Sequence, residues 1–321
     1  MRARDLDAGA RQVERDAGID DEPGHRASDQ QRDCLASLIG PYREEMTELS
    51  AVEIVAEWEP GTFAENLAPG PGGSWLVTLT SHRRVDRVAP DGTRTVAAEL
   101  PAMPTGIAAD ADGAFVVSGR IGEAGWRLDH VGEHGAEKVC DLPELRFGNG
   151  MARSGDRLFV ADSARGLVLT VEPGAGRSTV WLEHELLTPG DAAEGVPGVN
   201  GVAVHGEHLY LTSTARALVL RVPLGDTGGE LETVAEQLLA DDFDIHPDGR
   251  MFLATHVFDG VVQLAPDGTR RDLAGLADGI ETSTAVALDP HDSTRAWVTT
   301  AGERFGSPHR EKPARLLRLT V

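Results

Sequence analysis

The chain has 321 residues, a formal net charge of −22, a pI near 4.8 and 40% hydrophobic residues. Such acidity argues against a nucleic acid or an anionic membrane as partner, because both need a positive footprint. No apolar run is long enough to span a bilayer and no secretory leader is visible. The two cysteines, Cys34 and Cys140, predict no disulfide framework, which fits a reducing cytoplasm.

Residues 1–49 mix opposed charges with few large apolar side chains. They cannot offset the entropy of ordering, so they are expected to be a disordered or non-native extension. Within them only CLASLIGPY, residues 34–42, has the makings of a helical turn. The apolar segment AVEIVAEW at 51–58 follows, and it opens the domain expected over residues 50–321.

From Glu65 onward one pattern recurs. An apolar strand begins at a small or polar residue, a tight turn follows, and a second apolar strand ends in hydroxylated or charged residues. The copies begin at Glu65, Thr105, Asn149, Asn200, Asp241 and Thr284, with 40 to 51 residues between successive starts. A period near forty with strand content predicts an all-β, six-bladed β-propeller. In the fourth copy, residues 200–204, 208–214, 217–222 and 231–235 read as its four strands, separated by Gly, Asp or Pro turns. The last copy ends after its third strand, Arg315–Val321. The segment 51–58 is therefore expected to supply the missing outer strand and close the ring, which removes an exposed sheet edge.

The inner strand of each blade lines the central channel, so the six starting residues form a polar ring at one mouth. Two residues deeper lie Leu67, Ile107, Met151, Val202, Phe243 and Val286, all apolar. Aligning the PDG turn of the fifth copy with DADG of the second puts Asp241 in the ring, with Asp242 as the alternative. Glu65, Asn149, Asn200 and Asp241 then offer two carboxylates and two amide carbonyls. Hard oxygen donors of this kind suit Ca²⁺ first, with Mg²⁺, Mn²⁺ or Zn²⁺ as alternatives. The second strands end at the same mouth and add Thr80, Arg120, Asp162, Ser213, His256 and Thr300, with His82 just beyond.

With these residues in place, the chain from about 51 to 321 resembles the SMP-30/gluconolactonase/LRE-like propellers. The motifs that carry the resemblance are Glu65-Asn66-Leu67-Ala68, Asn149-Gly150-Met151, Val199-Asn200-Gly201-Val202 and Asp241-Asp242-Phe243, together with LFVADS at 158–163 and PDGRMFLATH. The resemblance implies one divalent cation held by Glu65, Asn149, Asn200 and Asp241, with Asp241 as the base. Two departures mark a divergent branch. Arg146 stands three residues before Asn149 rather than two, and Asp241 is followed by Asp242 where glycine is usual. The expected function is a metal-dependent lactonase acting on a small cyclic ester. Thr105, Arg120, Arg146, Asp162, Asp242 and His256 are the candidates for substrate contact. A cyclase or tailoring catalyst using the same funnel, or a non-enzymatic binding propeller, are the alternatives. No GxSxG, HExxH, P-loop or Rossmann motif is present.

Overall fold

The computed structural model describes residues 51–192, 196–302 and 312–321. The extension expected over 1–49 therefore lies outside the described residues. Six four-stranded antiparallel sheets follow one another, five of them with each strand hydrogen-bonded to the next in sequence and the sixth joining the first described strand to the last three, and they form the six-bladed β-propeller. The inner strands are Ala64–Pro69, Met103–Asp110, Gly148–Ser154, Val199–His205, Phe243–Ile245 and Ser283–Leu288. The fourth blade has strands Val199–His205, His208–Ser213, Leu218–Pro223 and Glu232–Ala235, within a residue or two of the sequence reading. No helix among the described residues is long and apolar enough to cross a membrane.

The ring closes as expected. Val52–Pro60 is the outermost strand of the sixth sheet and pairs antiparallel with Pro313–Thr320, from Val52 against Leu319 to Pro60 against Pro313. Trp58 on this strand is 2% exposed. Its Nε1 donates to Asp86 Oδ2 of the first blade at 2.8 Å, so the closing strand also grips its neighbour. The seam between blades one and six is completed by Trp75 against Trp297, whose ring centroids lie 5.1 Å apart. Similar apolar clusters fill each gap between blades, and Cys140 is buried in one of them as a free thiol.

Hydroxyl groups hold the blades in register near the channel. Thr78 donates to Thr105 O, Thr105 to Gly148 O, Ser163 to Val199 O, Thr212 to Asp241 O and Thr284 to Ala64 O, all between 2.6 and 3.0 Å. Each bond leaves one blade and ends on a neighbour's inner strand or, at Asp241, just ahead of it. The small hydroxylated residues of the repeats are there because only short polar side chains fit this gap and satisfy the carbonyl. Glycine lets the strands approach this closely. A Cβ on Gly106 would stand 2.0 Å from Asn149 O, and one on Gly150 2.3 Å from Asn200 O.

Candidate functional site

The inner strands do not run regularly through the ring positions. The ladder register slips between Ala64 and Leu67, Pro104 and Ile107, Gly148 and Met151, Val199 and Val202, and Ser283 and Ala285. Five blades therefore carry a bulge at the level of the ring. A bulge re-aims side chains and frees backbone groups, and such bulges recur beside functional sites. In the fifth blade the strand proper begins only at Phe243, which leaves Asp241 and Asp242 just ahead of it.

Blades four and five bring three of the expected residues together. Asn200 Nδ2 donates to Asp241 Oδ1 at 2.5 Å and to Thr214 Oγ1 at 3.1 Å. The other carboxylate oxygen of Asp241 lies 2.8 Å from His256 Nδ1. The His256 ring is 6.3 Å from that of Phe63, which sits two residues before Glu65. Asn149 Nδ2 donates to Ser163 Oγ at 3.1 Å. Both asparagines thus spend their amide nitrogens on the protein. Among the described residues, neither side-chain carbonyl oxygen accepts a hydrogen bond.

Glu65 faces the same space. Burial pushes its carboxyl well above the usual carboxylate range, and the nearby charges of Asp241 and Asp242 push it further. Burial likewise raises Asp242, to about 7, against the opposing hydrogen bonds from Phe243 N–H and Asn66. Three carboxyl groups gathered in one desolvated place repel each other, and a bound cation is one means of relieving that repulsion. Carboxylates and amide carbonyls whose nitrogens are engaged are the donor types a hard divalent ion takes.

Other candidates are committed elsewhere. Asp162 is completely buried and accepts from the backbone N–H groups of Arg146, Phe147, Ala164 and Arg165. It organises a loop and has no face left for a substrate, which corrects the expectation from its position. Thr105 is buried with its hydroxyl on Gly148 O, so it too braces the fold. The hydroxyls of Thr80 and Ser213 bond Pro104 O and Leu186 O, and that of Thr300 accepts from Arg315 N–H. The Arg146 guanidinium is held by Pro143 O and Leu145 O, both at 2.7 Å. Arg120 is exposed, with its carbonyl accepting from Trp126 Nε1. His82 lies 3.5 Å from Glu59 on the surface.

Two features escaped the sequence reading. Asn66 Nδ2 reaches Asp242 Oδ2 at 2.5 Å, linking blades one and five past the sixth. The signal was available, since the matching residues of the other repeats are Gly106, Gly150, Gly201 and Ala285. At the far end of the inner strands, Asp110, Asp112 and His130 place ligand atoms within 4.8 Å of one another. Arg153 already pairs with Asp110, and Asp112 is 83% exposed, so this group reads as a surface ion cluster.

No protein-family model matches the sequence, and no curated protein matches it. Solved structures do. A gluconolactonase from Xanthomonas campestris is similar at 16% identity with a TM-score of 0.62, over 89% of this chain and 92% of that one. A calcium-binding regucalcin from Agrobacterium tumefaciens is similar at 16% identity and a TM-score of 0.61, over 84% of this chain and 95% of that one. These neighbours are SMP-30/gluconolactonase/LRE-like six-bladed propellers. The fold is theirs. Virginiamycin B lyase from Staphylococcus aureus, in a form with quinupristin, is similar at 11% identity and a TM-score of 0.57, over 85% of this chain and 99% of that one. One fold thus carries a lactonase, a calcium-binding protein and a lyase, so function has to be argued from the site.

Proposed function

We propose that the chain is a divalent-metal-dependent hydrolase of the lactonase type, acting on a small cyclic ester at the ring-side mouth of the channel. The observation that supports this reading is the tying of both asparagine nitrogens to the protein, with Asn200 on the Asp241 carboxylate and the Glu65 carboxyl close to Asp241, which leaves the Asn149 and Asn200 carbonyl oxygens uncommitted. A bound divalent cation, Ca²⁺ by preference, would polarise the ester carbonyl. Asp241 then takes a proton from the attacking water and returns it to the departing alkoxide, which opens the ring. Asn200 and His256 hold its two carboxylate oxygens in place while it does so.

The test is a lactone panel assayed with added Ca²⁺ and with EDTA, beside metal analysis of protein purified without chelator. About one ion per chain is expected, with hydrolysis lost in EDTA and reduced roughly 10²- to 10⁴-fold in Asp241→Ala, the range of a lost general base. A metal-bearing protein that opens no lactone would overturn this reading.

One contact favours a second reading. His256 Nδ1 against Asp241 at 2.8 Å is an acid–base dyad that needs no metal, suited to a cyclase or lyase. The similar virginiamycin B lyase is described as catalytically inactive when a histidine is replaced by alanine. Activity that survives EDTA but disappears in His256→Ala would favour this dyad.

A further inference from the structure

An open cavity of about 270 Å³ is lined by the deeper parts of the inner strands, with Leu67, Ile107, Met151, Val202 and Phe243 beside the polar Arg153 and Asp244. Its boundary on the side of the ring is Asn66 and Asp242, and none of Glu65, Asn149, Asn200 or Asp241 lines it. At this level the other four blades carry only Gly106, Gly150, Gly201 and Ala285, and a Cβ on any of the three glycines would meet the next blade. Blades one and five alone carry a longer side chain at this position. Asn66 Oδ1 accepts from Leu67 N–H and Asp242 Oδ1 from Phe243 N–H, both at 2.8 Å, so each side chain is held by its own strand. Their free ends then meet across the sixth blade. Asp242 also packs against the fourth blade, where a Cβ added to Gly201 would come within 2.6 Å of its Oδ1.

We propose that the Asn66–Asp242 bridge is a specificity-determining floor that makes the mouth a blind pocket and shuts substrate tails out of the cavity behind it. The inference rests on the reading of the mouth as the substrate site. It implies that the natural substrate is compact, with its polar ring carrying no long alkyl substituent. Bulk at these two positions does the closing. A pure brace between blades would depend on the hydrogen bond instead.

Two double variants separate those roles. Asn66→Gly with Asp242→Gly restores the glycine of the second, third and fourth repeats and opens the floor. Asn66→Leu with Asp242→Leu keeps the volume and removes the bond and the charge. The measurement is kcat/KM for γ-lactones whose side chain grows from methyl to octyl. Crystals of all three proteins soaked in 1,8-octanediol give a second readout that does not need turnover. In the native protein and the leucine pair, kcat/KM should not rise with tail length and the diol should stay on one side of the floor. In the glycine pair, kcat/KM should rise by up to about fourfold per methylene that reaches the cavity, the worth of burying one CH₂, and the diol should pass through. Identical profiles and density in the two variants would overturn the floor. Diol threading through the glycine pair, with no lactone opened by any of the proteins, would keep the floor and sink the lactonase reading.

Discussion

Asp242 illustrates what a single residue contributes in this channel. Burial holds its carboxyl up at about 7, helped by the charges of Asp241 and Asp244 and opposed by its hydrogen bonds to Phe243 N–H and Asn66. Its folded value therefore lies above its unfolded one. Between about pH 4 and pH 7 the folded state binds more protons than the unfolded state, so stability falls as pH rises through that window. Asp242→Asn removes the charged form and with it this loss. In EDTA, the variant should melt above the native protein at pH 8, by on the order of 1–4 kcal/mol, and at nearly the same temperature at pH 4. Equal differences at both pH values would mean that the carboxyl is not penalised in the fold. Asp241 and Asn200 were legible in the sequence because repeats align them on one ring. The roles of Asp162 and Thr105 were not, because a side chain at the right height can turn into the loop or the next blade instead of the lumen. Spacing gives height along the axis and says nothing of direction.

At the scale of elements, the ring depends on one strand that returns from the beginning of the sequence. The incomplete sixth repeat made that strand legible, and it runs over Val52–Pro60 against the 51–58 expected. Its grip on the first blade was not legible, since Trp58 and Asp86 belong to different elements with no pattern linking them. Trp58→Ala should cost ~3–5 kcal/mol, the usual cost of emptying a large buried aromatic site, while Asp86 keeps its pairing with Arg84. A denaturation midpoint within error of the native protein would show that the closure does not carry the ring. Thr212 makes the comparable case on the inside, with its hydroxyl bonding Gly201 N–H and Asp241 O at 2.7 Å each. Thr212→Val keeps the shape and leaves the two groups only their direct bond to each other, Gly201 N–H to Asp241 O at 3.1 Å, so a loss of about 0.5–1.5 kcal/mol is expected in the same denaturation experiment.

At the scale of the molecule, a net charge of −22 makes the folded chain repel itself, and any added salt relieves part of that repulsion by screening. A cation bound in the channel would act on top of this general effect, because it binds the folded state and not the dispersed ligands of the unfolded one. At a concentration one hundred times its Kd, such an ion stabilises by about 2.7 kcal/mol, or roughly 5–10 °C for a domain of this size. CaCl₂ should therefore raise the melting temperature more than NaCl at matched ionic strength. In Asn200→Ala, which removes a neutral donor and leaves the total charge unchanged, the two salts should have the same effect. That variant separates the site from the field, since screening of the acidic surface is identical in both proteins. Equal shifts from the two salts in the native protein would leave the channel carboxyls without a cation, and the dyad of Asp241 and His256 would then be the chemistry to pursue.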